Sequence, residues 1–195
     1  MGKGRLEAFS DGVIAVIITI MVLEMKIPQG PDFAALRPMI PAFLSYVLSF
    51  VFVGIYWVNH HHLLHAIEHV SGPVLWANLH LLFWLSLVPL ATAWMGNSQF
   101  SMWPVATYGA LLLLCAIAFY VLSHILIREH GAGSVLATAY GRDFKGRISI
   151  AIYVAGLVAA FVEPWLAIAA YVLVSVIWLV PDRRIERALR GIERS

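Results

Sequence analysis

The chain is poor in the residues that build soluble enzymes. A single cysteine, Cys115, stands inside an apolar run of a 195-residue sequence. One thiol closes no disulfide within a chain and does not suffice for a structural zinc site, so it reads as a small packing residue. Only 12% of residues are charged, against 61% hydrophobic, and mean hydropathy is +0.83. That composition excludes an ordinary soluble domain. No lysine-bearing phosphate loop appears, which excludes an ATP-driven pump, and no Ser-His-Asp or metal-hydrolase motif appears, so no enzymatic activity is expected. A TVGYG filter is also missing; the nearest string, Thr107-Tyr108-Gly109, lacks its second glycine. The middles of the apolar runs carry no carboxylate, whereas proton-coupled transporters keep ionisable groups there. There is no long linker, low-complexity tract or internal repeat. The N-terminus does not follow the basic-then-apolar order of a cleaved signal peptide.

What the chain does have is six apolar runs, roughly 8–25, 39–59, 73–95, 103–127, 148–162 and 165–180. A bilayer core needs about 20 helical residues, so the expectation is an all-α membrane protein with six transmembrane helices in one domain, residues 1–195. Pro28, Gly30 and Pro31 close the first run. Pro41 lies near the start of the second, where proline is tolerated. Pro73 opens the third and Pro89 is placed to kink it. Gly96, Asn97 and Ser98 predict a turn, as does Glu163-Pro164 between the last two, shorter runs. An even number of spans puts both termini on one side, together with Lys3, Arg5, Arg128, Arg142, Lys145, Arg147 and the arginines of the tail; the other side holds only Lys26 and Arg37. This asymmetry predicts a multi-pass protein of the cell membrane with both termini cytoplasmic. Pro181–Ser195 is expected to form a short basic helix on the inner surface, attracted to anionic lipid.

Histidines are dense: His60, His61, His62, His65, His69, His80, His124 and His130. His61, His65 and His69 fall at i, i+4, i+8, a spacing that can hold a metal. Two redox readings follow. One is a membrane di-iron enzyme, which needs several separated clusters where this chain has one. The other is a bis-histidine haem held by His80 and His124, which sit at different depths. The simpler reading needs no metal and no cofactor: interfacial histidines at the inner end of the second helix pair with Asp11, Ser10 and Asn78.

The first run, RLEAFSDGVIAVIITIMVLE from Arg5 to Glu24, organises the rest. Ser10 and Asp11 at a membrane-embedded end are costly unless paired. A neutral histidine or an asparagine can donate to Asp11. Gly12, Val16, Thr19, Ile20 and Leu23 share one helical face, and at about 100° per residue Asp11 points about 140° away from Val16. Asp11 is therefore expected to face its own bundle and the aliphatic stripe to face something else. Arg5 stands six residues before Asp11, poorly placed for a same-helix pair, and is expected to bridge to a neighbouring helix or subunit. Trp57 and Trp76 read as aromatic fillers or interface anchors.

Three motifs occur in order: Arg5-x-x-x-Phe9-Ser10-Asp11 heading the first helix, Trp57-x-x-His60-His61 followed by Leu63 and Leu64, and Trp76-Ala77-Asn78-Leu79. Together they resemble the transmembrane-protein-one-seventy-five family, the endolysosomal potassium channel of animals and its prokaryotic homologues. The likeness spans about the first half of the chain; the second half is similar in hydropathy only. The resemblance implies a homotetramer whose first helices line a central pore passing potassium and other monovalent cations, with lipid as surroundings and no nucleic-acid partner. Val16, Ile20 and Leu23 would stack as apolar rings that gate by dewetting, and Thr19 would add hydroxyls. Carried over by position, the innermost constriction falls on Val16, where the family usually has Ile or Leu, so this ring is expected to be wider. Arg5, Phe9, Ser10, Asp11, Trp57, His60, His61 and Asn78 would form the polar network that locks the helices together.

Overall fold

A computed structural model describes residues 2–67, 69–131, 134, 137 and 144–179. Its elements are helical: α1 Lys3–Leu23, a 3-10 turn Phe33–Met39, α2 Ile40–His65, α3 Gly72–Ser86, α4 Val88–Asn97, α5 Met102–His130, α6 Phe144–Ala159 and α7 Pro164–Leu179. They make six apolar passes, the third shared by α3 and α4. The chain is thus an all-α membrane protein. The expected basic tail helix, Pro181–Ser195, lies outside the described residues.

Helix ends depart from the hydropathy limits for a physical reason: hydrogen bonding continues after apolarity stops. α1 begins at Lys3 and so holds Arg5 and Glu7 in helix. α2 has 26 residues, about 39 Å at 1.5 Å per residue, against a hydrocarbon core of about 30 Å. Its last turns, His60–His65, therefore emerge at the interface where α1 begins. Because the helix stops at His65, His69 does not continue the i, i+4 series. It lies in the following loop and stacks on His130 at 4.7 Å between ring centres. The third pass is broken at Leu87: α3 ends at Ser86 and α4 starts at Val88, with Pro89 in the first turn of α4. Proline removes a backbone donor and crowds the carbonyl four residues back, which separates the two rods.

Small residues let the helices approach closely, as expected where lipid removes most of the hydrophobic drive for helix pairing. A Cβ on Gly96 would come within 2.6 Å of Ala42 Cα, which fixes the crossing of α4 on α2. Tyr171 of α7 fills the space above Gly156 of α6 and Gly109 of α5, and its ring is fully buried. Mid-bundle, Ser49 of α2 sits 2.6 Å from Thr92 Oγ1 of α4 and 2.9 Å from the Tyr108 hydroxyl of α5. The turn after α4 holds Gln99 and Phe100 at φ 50° and 58°, left-handed positions that cost L-residues about 1–2 kcal/mol each. Phe100 offsets this by burying its ring beside Trp165, 5.1 Å away. Exposed tryptophans fall in two groups, Trp57 and Trp76 at one end of the bundle and Trp94, Trp103 and Trp165 at the other, as aromatic belts do at the two faces of a bilayer.

Candidate functional site: the first helix and its polar lock

α1 is buried along one seam only. Leu6, Ser10, Ile14, Ile17 and Met21 face the bundle, a three-to-four spacing that packs against α2, α3 and α4. The opposite face is bare. Val16 is 54% and Leu23 78% exposed, Ile20 and Thr19 are exposed as well, and Gly12 continues the strip inward. The strip borders an open groove completed by Ser86, Pro89 and Leu90 at the α3–α4 joint. Four of the expected pore residues, Val16, Thr19, Ile20 and Leu23, thus share one uncovered face.

Thr19 has a hydroxyl whose hydrogen is taken up locally. Oγ1 lies 2.9 Å from the Val16 carbonyl and 3.1 Å from that of Ala15. The proton is directed at the helix backbone, so the oxygen lone pairs are left for whatever occupies the exposed side.

At the inner end, the buried seam carries the polar residues. Asn78 Nδ2 donates to Ser10 Oγ at 3.0 Å, and Ser10 donates in turn to the Leu6 carbonyl at 2.9 Å. His60 Nε2 lies 2.7 Å from Asn78 Oδ1. An amide oxygen only accepts, so Nε2 carries the proton and the tautomer of His60 is fixed. The result is one directed chain, His60 to Asn78 to Ser10 to a backbone carbonyl, joining α2, α3 and α1. Ser10, Asn78 and His60 are each at most 1% exposed, so each would be costly to leave unpaired.

Asp11 is handled separately. It is half-buried, and Oδ1 accepts from Trp57 Nε1 at 3.0 Å. The sequence pointed to histidine or asparagine as the donor; the structure uses the indole, and gives the histidine–asparagine pair to Ser10. Asp11 does face its own bundle rather than the stripe. Of the remaining network residues, Arg5 and His61 are exposed, Phe9 is half-exposed, and none has a side-chain hydrogen bond to Ser10, Asp11, His60 or Asn78. Lys3, not singled out from sequence, donates from Nζ to the His65 carbonyl at 2.7 Å and ties the start of α1 to the end of α2. A basic residue beside the last turn of an apolar helix is the signal that could have found it.

The residues considered for haem lie on different helices, His80 on α3 and His124 on α5. His80 Nε2 accepts from Trp84 Nε1 at 2.8 Å, and His124 Nδ1 lies 2.9 Å from the Tyr120 carbonyl. Each is satisfied on its own helix.

A sequence profile for the endosomal/lysosomal potassium channel TMEM175 matches residues 5–89, the part that builds α1, the lock and the α3–α4 joint. A potassium channel of Chryseobacterium sp. (strain P1-3) is 56% identical over 190 residues, covering 97% of this chain and 99% of that protein. The chain belongs to the TMEM175 family. It is therefore a member of a family of ion channels, not of enzymes. The endosomal/lysosomal proton channel TMEM175 of Bos taurus is 34% identical over 131 residues, covering 61% of this chain and 27% of that longer protein. In fold, the chain matches the crystal structure of a lysosomal potassium-selective channel TMEM175 homolog from Chamaesiphon minutus with a TM-score of 0.80 at 24% identity, over 91% of this chain and 96% of that one. Among solved TMEM175 channels this likeness speaks to the arrangement of helices.

Proposed function

We propose that the chain acts as a single channel domain, 1–195, that assembles into a homotetramer in the cell membrane with both termini cytoplasmic, and conducts potassium passively along the four α1 helices. The observation that carries this reading is the division of α1 into a buried seam and an uncovered strip of Val16, Thr19, Ile20 and Leu23. Four copies of such a strip around an axis make stacked rings, which one copy cannot. Methyl groups offer no oxygens, so an ion crossing the Val16 ring keeps or sheds its own water. Potassium holds its shell less tightly than sodium and passes more readily. Thr19, just outward, presents oxygen lone pairs because its proton is directed at the backbone, and these support a partly dehydrated cation. The polar lock holds each α1 in register while the strip stays free of charge. Other monovalent cations pass to the degree that they share potassium's ease of dehydration.

The test is ion flux in liposomes with defined potassium and sodium gradients. Val16→Asn is expected to raise conductance and lower the potassium preference. Thr19→Val keeps volume, removes the hydroxyl and is expected to lower the preference without altering assembly. Unchanged conductance and ion ratio in both would remove the pore from this face. A cysteine at Leu23 is expected to cross-link neighbouring chains, and a clean monomer in lipid would contradict the tetramer.

A further inference from the structure

The histidines of the inner interface divide by what their rings do. His60, His80, His124 and His130 each commit a ring nitrogen to a protein group. His69 stacks on His130. His61 and His65 differ. Both are exposed, neither ring is hydrogen-bonded among the described residues, and the two stack with centres 5.9 Å apart and planes within 24°. They stand one turn apart at the end of α2, where an ordered helix fixes their spacing.

We infer that His61 and His65 form a two-imidazole binding site for a divalent late first-row metal ion, such as nickel, copper or zinc. Three features support it. An i, i+4 histidine pair on a helix presents two nitrogens to one ion. With metal–nitrogen bonds of about 2.0–2.1 Å and a near-tetrahedral angle, the ring centres stand about 5–6 Å apart, which is close to the spacing already present. His65 also lies in the last turn of α2, with His61 one turn before it, near the carbonyl end of the helix that favours a cation. Lys3 orders that turn by holding the His65 carbonyl. Water completes the coordination, so the ion binds exchangeably and is not a resident cofactor. Its place, four residues beyond the Trp57 that holds Asp11, puts it at the joint between α2 and the inner end of α1. The site does not depend on conduction.

The test is calorimetric titration of nickel into the full chain in detergent, with no affinity tag, alongside electron paramagnetic resonance of the copper-loaded protein. The expected result is saturable binding of one nickel per chain, weakened about tenfold or more by His61→Ala and by His65→Ala, with His69→Ala unchanged and two imidazole nitrogens on copper. Should an alanine variant elute differently from the parent, His61→Gln and His65→Gln are titrated in its place. Absence of saturable binding, binding retained without His61 or His65, or equal loss on removing His69 would overturn the site.

Discussion

Two polar chains stitch this bundle, and they are built alike. At the inner end, His60 donates to Asn78, Asn78 to Ser10, and Ser10 to the carbonyl of Leu6. In the middle, the same logic assigns every proton. Thr92 donates to the Val88 carbonyl at 2.7 Å, so it accepts from Ser49, and Ser49 accepts from Tyr108. Each chain crosses three helices and ends on a carbonyl four residues back along the helix of its last hydroxyl. A carbonyl cannot donate, so each chain has one direction and no frustrated proton. The difference lies in the residues. The central chain uses only neutral hydroxyls, which depth allows at low cost. The inner chain uses an amide and an imidazole, and stands beside a carboxylate, groups affordable only near water. The central chain fastens α2, α4 and α5. Only the inner chain has a member on α1; the central chain touches it through Thr92 and the Met21 sulfur, 4.0 Å apart.

Breaking the middle link of the inner chain is the largest expected effect. Asn78→Leu leaves the His60 Nε2–H unpaired, at about 1–3 kcal/mol for a buried group, and removes the bond that Ser10 accepts, Ser10 keeping its own bond to the Leu6 carbonyl. A loss of about 2–4 kcal/mol is expected, with the hydrogen-bonded link from α3 to α1 cut. A denaturant midpoint in detergent, read beside assembly by size exclusion, measures it. A smaller effect is expected from Trp57→Phe, which leaves Asp11 without its indole donor. A hydrogen bond to a charged group is worth about 1.5–3 kcal/mol, and partial exposure of both partners puts this one near the low end. Asp11→Asn keeps an acceptor for Trp57 and should be milder than Asp11→Ala; equal losses would mean that charge, not hydrogen bonding, matters there. The smallest effect is expected at the free end of the central chain. Tyr108→Phe leaves Ser49 bonded to Thr92 and should cost about 0.6 kcal/mol, the usual worth of an interhelical bond in a membrane. If Tyr108→Phe cost as much as Asn78→Leu, the two chains would not differ in the way their residues suggest.

Much of this was legible in the sequence. Run lengths and the Lys/Arg asymmetry gave six passes, because both rest on the solvent rather than on tertiary detail. The α1 stripe was legible because helical periodicity alone decides which residues share a face, and Val16, Thr19, Ile20 and Leu23 do share an uncovered one. Partner choice inside the lock was not legible. Asp11, Trp57, His60 and Asn78 all have hydrogen-bonding capacity, and which donor meets which acceptor depends on the rotation of α2 and α3 about their axes. The Ser49–Thr92–Tyr108 chain gave no signal at all, since single hydroxyls in apolar runs are common. Nor could spacing show that α2 stops at His65 and sends His69 elsewhere.

The separation of α3 from α4 has a mechanical consequence. They are two short rods in succession, each bolted at a different depth: α3 through Asn78 to Ser10, α4 through Thr92 to Ser49. α1 is one continuous rod lying across their joint. Its inner end is held by hydrogen bonds, while its outer half meets α4 by side-chain packing that includes Met21, whose sulfur lies 4.0 Å from Thr92 Oγ1. A torque applied to the outer half of α1 therefore works against van der Waals contact, and the same torque at the inner end works against a chain of hydrogen bonds. Compliance along α1 rises outward from Ser10, and Val16, Thr19, Ile20 and Leu23 all lie on the compliant side.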